Sequence, residues 1–234
     1  GPRLPLASDQ EVIRVGEPLI GEEEAARVME VLESTLISSV SPAVGQFERT
    51  LAERCGAGEA LAVASGTQAL DLLMYALDVG PGDEVIVPTL TFISVGATVA
   101  RRGARPVFVD VGRDTLNATA EAVEAAVTPN TRGIIGVHTY GHPCDMEAFA
   151  RVADRHDLFL IEDACEALGA ELRGRPVGSF GDAAVFSFYS NKIATTGNGG
   201  AIVTSRPELA SLLKELRGYS YAGERFFWHE HLPF

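Results

Sequence analysis

The sequence predicts an α/β fold, with a mostly parallel but mixed sheet of seven strands set between helices. Three observations carry this. Short apolar runs alternate with segments of helical length and period. The runs are apolar at every position rather than every second one, as strands covered on both faces require. Between the last two runs, 183–186 and 201–204, a loop stands in place of a helix, so the strand–helix rhythm breaks there and the sheet is expected to be mixed.

The elements follow in order. Residues 1–20 read as an extended N-terminal arm, with Gly1-Pro2 the remnant of a cleaved tag. A helix is expected over 22–33, acidic at its start and apolar at Ala26, Val28, Val31 and Leu32. Ser41 caps a second helix that runs to about 54, with Pro42 at its first position. The run 61–64 is the first strand; Ser65-Gly66-Thr67 leads from it into a helix ending near 78. Pro81-Gly82-Asp83 makes a turn before the strand 85–87, and a helix follows over 94–101. Then come a strand at 107–109, an alanine-rich helix over 118–127 and a strand at 133–137. A helix over 145–156 precedes the strand 158–161, which ends in Glu162-Asp163. After the strands 183–186 and 201–204 a last helix spans 207–217, followed by the aromatic segment Phe226-Phe227-Trp228-His229.

Composition narrows the function. The chain has 234 residues, within reach of one α/β domain, and is 46% hydrophobic and 22% charged, so a sizeable core is expected. Its formal net charge of −13 argues against nucleic acid or an anionic membrane as the main partner. A phosphorylated small molecule stays possible, because a few backbone N–H groups and a hydroxyl hold a phosphate whatever the global charge. Cys55, Cys144 and Cys165 are too few and too scattered for a disulfide framework or a metal site. No apolar stretch approaches the roughly 18 residues of a membrane span, and the cytoplasm is the expected compartment.

Ligands of open α/β sheets bind at the carboxyl ends of strands, and four features fall there. Ser65-Gly66-Thr67 opens a helix after a strand, where free N–H groups and close backbone approach suit a phosphate; the same residues also suit a plain helix cap. Asp163 ends an apolar strand, where a carboxylate needs a partner: a cationic ring nitrogen, an arginine or a helix end. Lys192 follows Ser187-Phe188-Tyr189 and precedes the turn Gly197-Asn198-Gly199-Gly200. Of the 19 basic residues only Lys192 and Lys214 are lysines. Arginine serves surface charge but cannot form a Schiff base, so a lysine retained in such a chain suggests that the amine itself is needed. Phe92 follows a strand after Pro88-Thr89-Leu90-Thr91, where a flat ring either stacks on a cofactor or packs in the core.

Taken together these segments resemble the sugar aminotransferases of the DegT/DnrJ/EryC1/StrS family, which are fold-type-I enzymes dependent on pyridoxal 5′-phosphate. The matching stretches include Ser65-Gly66-Thr67, Pro81-Gly82-Asp83-Glu84, Thr91-Phe92 and Tyr140-Gly141-His142-Pro143. Glu162-Asp163-Ala164-Cys165-Glu166-Ala167-Leu168-Gly169 and Asn191-Lys192 complete them, and the perosamine-synthase branch is the nearest in pattern. The resemblance implies that Lys192 carries the cofactor as a Schiff base and moves the proton during the reaction. Asp163 would face the pyridine nitrogen, and Gly66, Thr67 and Ser187 would hold the phosphate. Phe92 would stack on the ring, and Glu166 would stand near the ring hydroxyl, where many members carry glutamine. The implied reaction moves an amino group from glutamate to a nucleotide-linked ketosugar, a 4-ketosugar in that branch, in a homodimer with shared active sites.

The resemblance also implies a large cofactor-binding domain over 21–219, with 220–234 beginning the connection to a small C-terminal domain that this chain does not include. Two other readings stand beside it: a sugar dehydratase or other non-transaminating member, and a non-catalytic binding or regulatory protein that keeps the fold. Some dehydratase relatives replace the lysine by histidine, which the presence of Lys192 disfavours.

Overall fold

A computed structural model describes residues 17–39 and 41–218. Most of the expected arm, the connection over 220–234 and the aromatic segment at 226–229 lie outside these residues. The helices are α1 (Glu22–Glu33), α2 (Pro42–Cys55), α3 (Gly66–Ala76), α4 (Ser94–Arg101), α5 (Ala120–Ala125), α6 (Met146–His156) and α7 (Pro207–Arg217). The strands are β1 (Glu59–Val63), β2 (Glu84–Pro88), β3 (Arg105–Val109), β4 (Thr131–Val137), β5 (Phe159–Asp163), β6 (Glu171–Leu172), β7 (Arg175–Pro176), β8 (Ala183–Ser187) and β9 (Gly200–Thr204).

Seven strands form one sheet in the order β1-β9-β8-β5-β4-β2-β3, and β6 and β7 form a separate hairpin. All pairings from β8 through β3 are parallel, while β9 is antiparallel to both its neighbours. β1 therefore points the same way as the parallel strands. The carboxyl ends of six strands and the start of β9 share one edge.

The continuous apolar runs are explained by the two faces. Leu61, Val85, Val87, Ile135, Ile161, Val185 and Ile202 pack with residues of α3, α4 and α7. Their chain neighbours face the other way. Ala60, Ala184, Phe186, Ala201 and Val203 pack with α2, and Ile86, Ile134 and Leu160 pack with α6. A strand with apolar partners on both faces is apolar at successive positions.

Local signals set the helix ends. The Ser41, Ser65, Thr119 and Asp145 side chains each accept a first-turn N–H, capping α2, α3, α5 and α6. Gly56 ends α2 in the left-handed conformation. The alanine-rich segment expected over 118–127 is shorter in the structure, because Thr119 caps it and the helix ends at Ala125. Among the described residues no helix is long and apolar enough to cross a membrane.

Candidate active site

Five segments meet at the carboxyl edge. The first is the turn from β1 into α3. Ser65 Oγ accepts the Gln68 N–H at 3.1 Å, so this hydroxyl is committed to capping the helix. The first amides of a helix have no partner within it, which leaves those of Gly66 and Thr67 as donors to a ligand, with the Thr67 hydroxyl beside them. Glycine is required at the turn. A Cβ on Gly66 would stand 2.9 Å from Cys165 Sγ and 3.2 Å from Ser187 Cβ. A Cβ on Gly200, at the start of β9, would lie 2.3 Å from the Ser65 carbonyl carbon and 2.6 Å from the Gly66 nitrogen. Backbone thus packs on backbone here, and Ser187, paired with Gly200, borders the same cradle.

Asp163 closes β5 and is buried. Its Oδ1 accepts the Cys165 N–H at 3.1 Å. Burial pushes its pKa up, against weaker opposing effects of the Cys165 hydrogen bonds and of the nearby His138 and Lys192. A carboxyl in this condition suits a cationic donor that arrives with a ligand.

Lys192 lies on the loop after β8, with its side chain 18% exposed. Its Nζ donates to Glu166 Oε1 at 3.2 Å, and the other Glu166 oxygen accepts the Tyr140 N–H at 2.9 Å. The chain's other lysine differs: Lys214 pairs with Glu59 at the surface, 46% exposed. Phe92, on the loop between β2 and α4, is 71% exposed. Thr91 Oγ1 and Thr139 Oγ1, on loops after the adjacent strands β2 and β4, are buried without a hydrogen-bond partner among the described residues. Such hydroxyls are completed by water or by a ligand.

These groups fit pyridoxal phosphate. The α3 amides and the Gly66–Gly200 cradle suit its phosphate, Asp163 its ring nitrogen, Lys192 its aldehyde and Phe92 its flat face. Cys165 lines the cradle as packing, since burial pushes its thiol pKa well up and makes it a poor nucleophile.

The sequence reading missed three supports of this edge. Glu162 is fully buried and accepts the backbone N–H groups of Gly178, Phe180 and Gly181 at 2.9, 2.7 and 3.0 Å. His138 Nε2 stands 3.3 Å from it. The Cys144 N–H donates to His138 Nδ1 at 3.1 Å, which assigns the ring proton to Nε2 and makes that nitrogen a donor to Glu162. The His138 backbone N–H in turn donates to the Asp163 carbonyl at 3.1 Å. In the sequence Glu162 stands out only as a member of the matching stretch that begins at the end of β5, with nothing to show its role. The third support, Asn117, sits on the loop between β3 and α5 and gave no signal at all.

A model of the DegT/DnrJ/EryC1/StrS aminotransferase family matches residues 18–234. GDP-perosamine synthase of Caulobacter vibrioides is 46% identical over 221 residues, covering 94% of this chain and 60% of the relative. The dTDP-3-amino-3,4,6-trideoxy-alpha-D-glucose transaminase of Streptomyces venezuelae is 44% identical over 204 residues, 87% of this chain and 53% of the relative. Among solved structures, Spr1654 of Streptococcus pneumoniae in its PLP form superposes with a TM-score of 0.85 at 30% identity, over 91% of this chain and 59% of that one. The chain thus spans about three fifths of the length of the Caulobacter relative.

Proposed function

Because the chain belongs to the DegT/DnrJ/EryC1/StrS aminotransferase family, we propose that the intact protein is a pyridoxal-phosphate aminotransferase that moves an amino group from glutamate to a nucleotide-linked 4-ketosugar. The observation that carries this is the placing of a partly buried lysine, Lys192, on the same strand edge as Asp163 and the glycine cradle at Gly66. The names of the Caulobacter and Streptomyces relatives, both nucleotide-sugar enzymes, support the substrate class.

When bound, pyridoxal phosphate supplies an aldehyde and a ring that draws electrons from the bond broken at the amino carbon. The chain's own groups do the rest. The Gly66 and Thr67 amides, the Thr67 hydroxyl and Ser187 bind the phosphate at the positive end of α3. Asp163 holds a proton on the ring nitrogen by charge. Phe92 would stack on one face of the cofactor ring. Glu166 orients the amine of Lys192 and would meet the cofactor's ring hydroxyl. Lys192 would hold the cofactor through its amine and, with that amine free, would be the group that moves a proton at the substrate's amino carbon. Residues 21–219 serve as the cofactor domain. A small C-terminal domain and a partner subunit complete the walls of the site, in a cytoplasmic homodimer with shared active sites.

The test is spectroscopic and then chemical. Pyridoxal phosphate added to the full-length protein should give a visible absorbance band that is abolished by borohydride and absent in Lys192→Ala. Amino transfer from glutamate should then be seen with one or more of a panel of nucleotide-linked ketosugars, and lost in the variant. A folded protein that gives no such band would refute the cofactor assignment. A band without transfer would refute the reaction and favour a binding role.

A further inference from the structure

We propose that Asn117 is a positioning residue for Lys192, acting through the turn at 139–142 and through Glu166. The inference rests on the cofactor site described above and adds a residue that touches neither cofactor nor substrate.

Asn117 is 2% exposed. Its own loop holds it firmly: the Gly112 N–H donates to its carbonyl at 2.9 Å, and its N–H reaches Thr115 Oγ1 at 3.3 Å. Its amide then grips the neighbouring turn at both ends. Nδ2 donates to the His142 carbonyl at 2.8 Å, and Oδ1 accepts the Thr139 N–H at 3.0 Å.

Between these two grips Tyr140 takes φ 52° and ψ 28°, the left-handed conformation. A non-glycine residue pays of order 1 kcal/mol to stay there, so something must hold it. Its side chain does not, being 74% exposed. What the strained geometry achieves is to aim the Tyr140 N–H at Glu166 Oε2, 2.9 Å away. The turn also rests directly on the segment carrying that acid, since a Cβ on Gly141 would come within 2.9 Å of the Glu166 carbonyl oxygen. Glu166 then meets Lys192 Nζ with its other oxygen. Each link is a hydrogen bond or direct packing, and the chain runs from a buried amide to the reactive amine.

Glu166 is itself 43% exposed, so its side chain has room to swing once the Tyr140 N–H is withdrawn. Removing the Asn117 amide would let Tyr140 relax from its left-handed conformation, free Glu166, and leave Lys192 without a fixed partner. A purely structural Asn117 would close its loop but would not be coupled to Glu166.

A double-mutant cycle separates these roles. The dissociation constant of pyridoxal phosphate is measured by absorbance for the full-length native protein, Asn117→Ala, Glu166→Ala and the double variant, with thermal unfolding recorded in parallel. We expect each single change to weaken binding about tenfold, as loss of groups that orient a ligand-binding side chain does. We expect the double variant to be no more than about twofold weaker than the worse single one, because both cut the same link. Independent effects would instead multiply to about a hundredfold and would overturn the proposal, as would unchanged binding in Asn117→Ala. Should Asn117→Ala fail to fold, Asn117→Asp takes its place in the cycle; it keeps the acceptor for Thr139 and loses the donor to His142. A native protein that does not bind the cofactor overturns both this inference and the reading of the site; binding with independent effects overturns this inference alone.

Discussion

Asp163 ends its strand out of solvent, and burial pushes its pKa up. The sign of the consequence follows from linkage. A carboxyl that holds its proton more tightly folded than unfolded costs nothing at low pH. Its cost enters as pH rises past the unfolded value of about 3.9 and is complete above the raised folded value. Asp163→Asn keeps the acceptor for Cys165 and removes the charge. In the cofactor-free protein we expect it to gain about 1 kcal/mol near neutral pH, with no gain at low pH, while amino transfer is lost. Urea unfolding at two pH values checks this. Gly66 shows the opposite balance, since Gly66→Ala drives a methyl into Cys165 Sγ and Ser187 Cβ. We expect a loss of about 1–3 kcal/mol, with cofactor affinity falling too, and partial recovery in the double variant with Cys165→Ala. Chemistry at this scale was legible where residue type alone restricts it. A chain with 2 lysines shows which amine is unusual, and the structure pairs Lys214 with Glu59 at the surface while leaving Lys192 at the strand edge. Asn117 was not legible, because an asparagine in a loop looks the same whether or not its amide reaches another loop.

Strands and helices were largely legible because each has a local cause. The strands are apolar on both faces, and the helices begin at capping residues visible in the chain. What escaped lacked such a signal. The hairpin β6–β7 has only two residues per strand, too few for a period, and turns through Arg173 and Gly174, both left-handed. The brief helical turn at Thr139–Gly141 depends on Asn117 and Glu166, neither of them near in sequence. Pairing between strands was also hidden. Gly133 looks like a weak point in β4, yet it faces Phe159 across the parallel pair, and a Cβ there would lie 2.1 Å from the Phe159 ring. The glycine makes room for the ring. Gly133→Ala should cost about 3 kcal/mol, and combination with Phe159→Ala should cost clearly less than the sum of the two, measured as shifts in the urea midpoint.

At the scale of the molecule, the fold class and the shared edge followed from the rhythm of the chain, whereas the fate of α1 did not. Its apolar positions predicted a helix over 22–33. The helix forms, but no residue of it is buried, and Val28, Met29 and Leu32 are each at least half exposed. A helix of this length without tertiary support is marginal in water. In this 234-residue chain the α1 amides should therefore exchange with solvent far faster than those of the central strands β4 and β5, which hydrogen-exchange mass spectrometry would read directly. Slow exchange across α1 would show that something covers it.

The placing of β9 has a consequence in time. Among the described residues β1 pairs with β9 alone, with Val63 opposite Gly200, and it is Gly200 that lies against the Ser65–Gly66 turn. Of the described strands, the earliest in the chain must therefore wait for the latest before it can be paired. Closing so distant a contact is slow, and until it closes the amides at the start of α3 have no finished cradle around them. A nascent chain would already hold the strands from β2 to β8 before it could keep a phosphate.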